Sequence, residues 1–92
     1  MANNLFISYD LIKNRNYQAV HEKIKSLGAW AHVHESFWYV SSFYSAEQAF
    51  NTVHQACDGD DKLVVVDVTN RSVIWGELSK NVSDFIKHQW NL

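Results

Sequence analysis

An apolar run, LFISYDL, occupies residues 5–11 near the start of the chain. Its large side chains fall on both faces of an extended backbone, with Phe6 on one face and Leu5, Ile7 and Tyr9 on the other. Apolar side chains on both faces are typical of a strand inside a sheet that is covered on each side. The run therefore predicts a first, interior strand.

Three later segments have the 3.6-residue apolar spacing of amphipathic helices. The first begins at Tyr17, the second follows Ser45 and the third follows Ser79. Ser45 and Gln48 have the spacing of a capping box, in which each side chain bonds a backbone N–H of the other residue. Ser79 is also a favoured N-cap residue. The pattern therefore predicts three helices with defined starts.

The other apolar segments predict strands. Aromatic and β-branched residues alternate through AWAHVHESFWYVSSF, and the polar HES in its middle suits a hairpin bend. This indicates strands two and three at about 29–34 and 36–43. The continuous apolar run KLVVVDV, at 62–68, predicts a fourth strand. A short fifth strand is predicted around Ser72–Trp75.

This order of elements predicts an α+β fold with one domain over residues 1–92. It is the ferredoxin-like split β-α-β-β-α-β arrangement with an antiparallel sheet, followed by a C-terminal short strand and helix. Both crossover helices lie on one face of such a sheet, and the opposite face is left open. An open apolar face is expected to be covered by a second copy, by the C-terminal segment or by a ligand.

Composition narrows the function classes. The 92 residues carry eight basic and ten acidic side chains, so the net charge of −2 gives no general attraction for a polyanion. The single Cys57 cannot form an intrachain disulfide, and the N-terminus lacks the features of a secretory signal. We therefore expect a cytoplasmic protein with no membrane partner, and any nucleic-acid binding must come from a local surface.

Asp10, at the end of the first strand, is the first candidate for chemistry. A carboxylate can hold Mg²⁺ or Mn²⁺, and a metal-bound water can attack a phosphodiester. One carboxylate per chain is too few for a tight site, so this hypothesis needs a second copy of Asp10 across a dimer axis. The alternative is a structural role, in which Asp10 accepts hydrogen bonds from nearby backbone N–H groups.

The predicted hairpin carries the other candidates. Trp30, His32 and His34 are spaced by two, which places all three on one face of a regular strand. An imidazole can act as a general acid or base, and indole rings can stack on bases. Trp38 adds a ring to this hairpin. The alternative is that one face of the hairpin is core and the other is a dimer contact.

Short motifs along nearly the whole chain resemble those of the small SinR proteins related to the CRISPR-associated small endoribonuclease family. They are SYD, KSLGAW, ESFWYV, LVVV and the tail WGELSKNVSDFIKHQW. The resemblance implies a ferredoxin-like homodimer in which the two sheets face each other and each C-terminal segment reaches the other subunit. It also implies that the acid closing the first strand, here Asp10, is a metal ligand.

Three functional hypotheses follow. The first is a homodimer that binds a nucleotide or nucleic acid through Tyr9, Trp30, Trp38 and the two histidines, with Lys13 and Arg15 contacting phosphate. The second is a metal-dependent endonuclease with paired Asp10 side chains, in which His32 or His34 assists proton transfer. The third is a non-catalytic scaffold or adaptor dimer.

Overall fold

The computed structural model describes residues 2–12 and 16–90. The four strands are β1 (Asn3–Asp10), β2 (Gly28–His34), β3 (Phe37–Ser42) and β4 (Lys62–Asp67). The three helices are α1 (Tyr17–Lys25), α2 (Ala46–His54) and α3 (Lys80–Trp90). No helix in these ranges is both long enough and apolar enough to cross a membrane.

The strands form one antiparallel sheet in the order β2-β3-β1-β4. The two central strands are therefore β1 and β3. Helix α1 joins β1 to β2 across the position of β3, and α2 joins β3 to β4 across the position of β1. The structure confirms the predicted α+β class, the four-stranded antiparallel sheet and the three helices.

Capping residues fix the starts of the helices, and Ser45 and Ser79 are the caps that the sequence indicates. The Asn16 side chain accepts a hydrogen bond from the N–H of Ala19 at the start of α1. Ser45 and Gln48 form the expected capping box, with bonds of 3.1 and 2.9 Å. Ser79 Oγ accepts from the N–H of Val82. These bonds satisfy backbone donors that a helix terminus leaves without an intrahelical partner.

Helices α1 and α2 cover one face of the sheet and form the main core. Leu5, Ile7 and Tyr9 of β1 point into this core, as their alternation predicts. The helices and β3 add further large side chains: Val20, Ile24, Trp38, Val40 and Val53. The main core therefore depends on residues from both halves of the chain.

On the opposite face of the sheet, the C-terminal segment of the same chain covers β2 and β3 and reaches Phe6 of β1. Tyr39 and Ile86 are buried there at 0% and 1% exposure, and Phe6, Trp75 and Trp90 pack against them. The sequence left three possible covers for this face: a second copy, the C-terminal segment or a ligand. The structure shows the C-terminal segment in this place. We call this second apolar cluster the C-terminal core.

Asn4 anchors the C-terminal core and was not identified from the sequence. It is 4% exposed, and its Oδ1 accepts a 2.7 Å hydrogen bond from the Tyr39 hydroxyl. Its Nδ2 donates to the carbonyl of Trp90 at the end of α3. A buried amide of this kind is stable only when it is hydrogen-bonded. Asn4 therefore ties the first strand to both β3 and the last helix.

The fifth strand predicted around Ser72–Trp75 is wrong. Residues 68–79 contain no strand, and the backbone has positive φ angles of 63° at Asn70 and 60° at Glu77. Trp75 packs into the C-terminal core, and its Nε1 donates to Ser83 Oγ. The apolar alternation that suggested a strand instead marks side chains that insert into this core while the backbone crosses the sheet face.

Gly28, the first residue of β2, lies against the neighbouring strand at very short range. A Cβ atom at this position would collide with the backbone carbonyl oxygen of Ser41. Ser41 belongs to the central strand β3 and pairs with Asn4 on one side and Ala29 on the other, so its backbone cannot move aside without disturbing both ladders. A glycine is therefore required at position 28 for β2 and β3 to approach each other.

We expect Gly28→Ala to lower the free energy of unfolding by about 1–3 kcal/mol, because the added methyl group is overpacked against backbone. The matched control is Gly76→Ala, since a Cβ there meets no atom within 4 Å. The control should change stability by less than about 0.5 kcal/mol. Urea denaturation of both variants measures the difference, and equal stabilities would contradict the close approach.

Candidate functional site

One end of the main core reaches the surface as a group of aromatic and imidazole rings, which we call the aromatic–histidine cluster. Its members are Tyr9, Tyr17, His21, Trp30, His32 and Trp38. They come from β1, α1, β2 and β3, so the sheet and the first helix together position them. The β2–β3 register places His32 directly opposite Trp38 and Trp30 opposite Val40.

The base of the cluster is buried and hydrogen-bonded. Trp38 is 1% exposed and Tyr9 is 4% exposed. The Trp38 indole Nε1 donates to the Tyr9 hydroxyl at 3.2 Å, and this hydroxyl lies 2.7 Å from Nε2 of His21. Buried indole and phenol groups of this kind usually find such partners. The network holds His21 at a fixed distance from the sheet.

The outer part of the cluster is accessible. Trp30 and Tyr17 are 41% and 39% exposed, and His32 is also exposed. The His32 ring stacks on Trp38 with centroids 4.1 Å apart and planes 10° apart. Nζ of Lys25 lies 4.9 Å from the centroid of the Trp30 ring. The cluster thus presents flat rings and one cation on a rigid base.

Burial sets the protonation of His21 and Tyr9, the hydrogen-bonded pair at the base of the cluster. It lowers the pKa of His21, and the nearby His32 and Lys25 lower it further because a second positive charge there is unfavourable. Burial raises the pKa of Tyr9, and the hydrogen bond from Trp38 offsets only part of this effect. At neutral pH the pair is therefore a neutral imidazole beside a neutral phenol.

The expectation that His32 and His34 share a face of β2 is wrong. The pairing between β2 and β3 shifts between these two residues, as in a β-bulge. His34 stacks on Phe37, whose ring in turn stacks on Phe6 of the C-terminal core. A bulge adds one residue to the strand and so reverses the side-chain alternation beyond it. His32 and His34 therefore lie on opposite faces of the sheet.

Asp10 is not brought together with either histidine. It is exposed and lies opposite Lys62 of β4. By alternation along β1 it shares the face of Phe6, which excludes contact with His32. His34 shares that face but lies two strands away, a lateral distance of about 10 Å.

No group of three or more His, Cys, Asp or Glu side chains within residues 2–12 and 16–90 is arranged to hold a metal ion. The metal site predicted at Asp10 therefore still depends on a second copy of the chain, and it stays a prediction. Lys13 and Arg15, the predicted phosphate contacts, lie outside the described residues.

The structure brings together four of the residues predicted for the site, and it adds others. Trp30, His32, Trp38 and Tyr9 all belong to the aromatic–histidine cluster. The sequence analysis missed Tyr17, His21 and Lys25. The available signal was the spacing of four between Tyr17, His21 and Lys25, which places them on one face of α1.

No known protein family, curated protein or solved structure matches this chain. The side chains of the cluster are therefore the guide to its function.

We expect the pH dependence of stability to report on His21. Its folded-state pKa lies below the ordinary value of 6.5, so the unfolded chain takes up a proton first as the pH falls below that value. The free energy of unfolding should therefore decrease between about pH 7 and pH 5, and this decrease should be smaller in His21→Asn. Urea denaturation at several pH values measures it.

His88→Asn is the control, because His88 lies on α3 outside the cluster. It should keep the pH dependence of the wild-type chain. Parallel stability curves for the wild type and His21→Asn would contradict the lowered pKa.

Proposed function

We propose that this protein binds a nucleotide or a single-stranded segment of nucleic acid on the aromatic–histidine cluster. The observation that carries the proposal is the continuous set of ring contacts that runs from the buried Trp38 to the exposed Trp30 and His32. Bases stack readily on accessible aromatic side chains held on a sheet. A rigid base favours this binding, because few side chains must be ordered when the ligand arrives.

The net charge of the protein favours binding through base stacking over binding through electrostatic attraction. The net charge is −2, so long-range attraction of a polyanion is weak. Lys25 places one cation over the Trp30 ring, 4.9 Å from its centroid, so a base that stacks on this part of the cluster lies close to a positive charge. A single phosphate attached to that base could use this cation. The arrangement therefore suits one or a few nucleotides with unpaired bases.

We also propose that the fold is the ferredoxin-like split β-α-β-β-α-β. The central positions of β1 and β3, and the two helices on one face of the sheet, support this topology. Kinship with the CRISPR-associated small endoribonuclease family remains a proposal that rests on the sequence motifs alone.

A homodimer is part of the proposal. Val64 and Val66 of β4 are 57% and 45% exposed on the face that also carries Phe6. The C-terminal segment packs over β2 and β3 on this face, and it leaves these valines open. A second copy of the chain would bury them.

The nuclease hypothesis has less support from the geometry of a single chain. Asp10 and His32 lie on opposite faces of the sheet, and His34 shares the face of Asp10 but lies two strands away, so neither histidine lies beside Asp10 within one subunit. The binding function is therefore the one that the arrangement of side chains favours.

We expect Trp30→Ala to weaken the binding of a fluorescently labelled single-stranded RNA by roughly 5- to 150-fold, the loss of about 1–3 kcal/mol of stacking. Fluorescence anisotropy measures the affinity. Trp30 is partly exposed, so the variant should keep the fold, which circular dichroism checks.

The matched control is Phe43→Ala, which removes an aromatic ring that is 80% exposed and outside the cluster. It should bind RNA as the wild type does. Equal losses in the two variants, or no binding by the wild-type protein, would rule out the proposed site.

A further inference from the structure

The hydrogen bonds of His32 determine which of its ring nitrogens carries hydrogen. Its Nε2 lies 3.0 Å from the backbone carbonyl oxygen of Glu35. A carbonyl oxygen can only accept, so Nε2 must be the N–H of the ring. In the neutral imidazole the other nitrogen, Nδ1, is then an acceptor. Because His32 is an exposed residue, this acceptor belongs to a side chain that a ligand can reach.

His21 has the opposite assignment. The Tyr9 oxygen accepts from Trp38 Nε1, and its own hydrogen can go to His21 Nε2 at 2.7 Å or to the Glu35 carbonyl at 3.4 Å. The shorter distance is that of a good hydrogen bond, whereas 3.4 Å exceeds the usual range for a hydroxyl donor. His21 Nε2 therefore accepts from Tyr9, and the neutral ring carries its hydrogen on Nδ1.

The two imidazoles thus differ in their hydrogen-bonding character although they are close neighbours. Their ring centroids are 5.3 Å apart, in an edge-to-face arrangement. Among residues 2–12 and 16–90, the hydrogen bonds of both rings involve Nε2 only. One Nδ1 is a donor and the other is an acceptor, and both belong to the cluster that carries Trp30.

We propose that His21 and His32 recognise the hydrogen-bonding edge of a nucleobase, with His21 Nδ1–H donating to a ring or carbonyl acceptor and His32 Nδ1 accepting from a base N–H. This inference rests on the proposed function, and it adds base readout to stacking. Proteins read unstacked bases through hydrogen bonds to such edges. The shared ligand is the base itself, either in a free nucleoside or in a single strand.

Protonation of His21 would break the match, because a proton on this ring removes the acceptor that holds Tyr9. The titratable and charged groups that face the pair come from β1, α1 and the hairpin: Tyr9, Tyr17, Glu22, Lys25 and Glu35. Base binding should therefore weaken as the pH falls, whereas attraction of a bare phosphate would strengthen.

Methylated bases test the readout while preserving the stacking ring. Calorimetry compares adenosine with N6,N6-dimethyladenosine and uridine with 3-methyluridine, and anisotropy compares the corresponding single-stranded oligonucleotides. In at least one of the two pairs, methylation removes the base N–H that donates to His32 Nδ1. Binding should then weaken by about tenfold or more. The free nucleosides and the oligonucleotides distinguish the two sources of the base.

His32→Phe keeps a flat ring over Trp38 but removes the acceptor. This variant should bind the parent and methylated bases equally well. The matched control is His34→Phe, which changes a histidine of the same strand that lies on the opposite face of the sheet. The control should discriminate as the wild type does.

The outcomes separate this inference from the proposed function. If His32→Phe still distinguished parent from methylated bases while Trp30→Ala lost RNA binding, the base readout would be overturned. The stacking site would then be retained. Equal binding of parent and methylated bases by the wild type would do the same. Competition by ribose 5-phosphate as strong as that by the nucleosides would also overturn the readout, and the absence of any binding would overturn both proposals.

Discussion

The central strands β1 and β3 carry large apolar side chains on both faces, so this chain folds only if both faces of its sheet are covered. Helices α1 and α2 cover one face. A sheet with helices on one side would leave Phe6 and Tyr39 in water, and the cost would be several kcal/mol. The C-terminal segment removes this cost. Its attachment through Asn4 links the last helix to the first strand.

This two-sided covering also decides where a ligand could bind. An aromatic sheet face would be the obvious platform, but here the chain itself occupies the part formed by β2 and β3. The accessible rings lie instead where α1 meets the edge of β2, and they rest on the buried Trp38 and Tyr9. The hydroxyl of Tyr9 joins the main core to the surface, because it bonds both Trp38 and His21.

The sequence predicts the local structure well, because capping residues and apolar spacing act over a few residues. Ser45 with Gln48, and the alternation along β1, are examples. The sequence does not predict features that depend on contacts between residues far apart in the chain. Alternation around Trp75 indicates burial without indicating whether the backbone pairs with a strand. The bulge after His32 has no compositional signature, yet it moves His34 to the other face. Likewise, α1 places His21 against Tyr9 only after the helix has packed on the sheet.

The proposed binding surface combines aromatic and imidazole rings with the cation of Lys25, and this composition limits the kind of nucleic acid that could use it. Proteins that bind duplexes draw most of their affinity from phosphate contacts, which need a dense basic patch. This chain has eight basic residues against ten acidic ones. In a duplex the flat faces and pairing edges of the bases are already engaged. A surface that combines exposed Trp30 with a donor and an acceptor from two imidazoles needs both the face and the edge of a base. The proposed base recognition therefore requires bases that are unpaired or free.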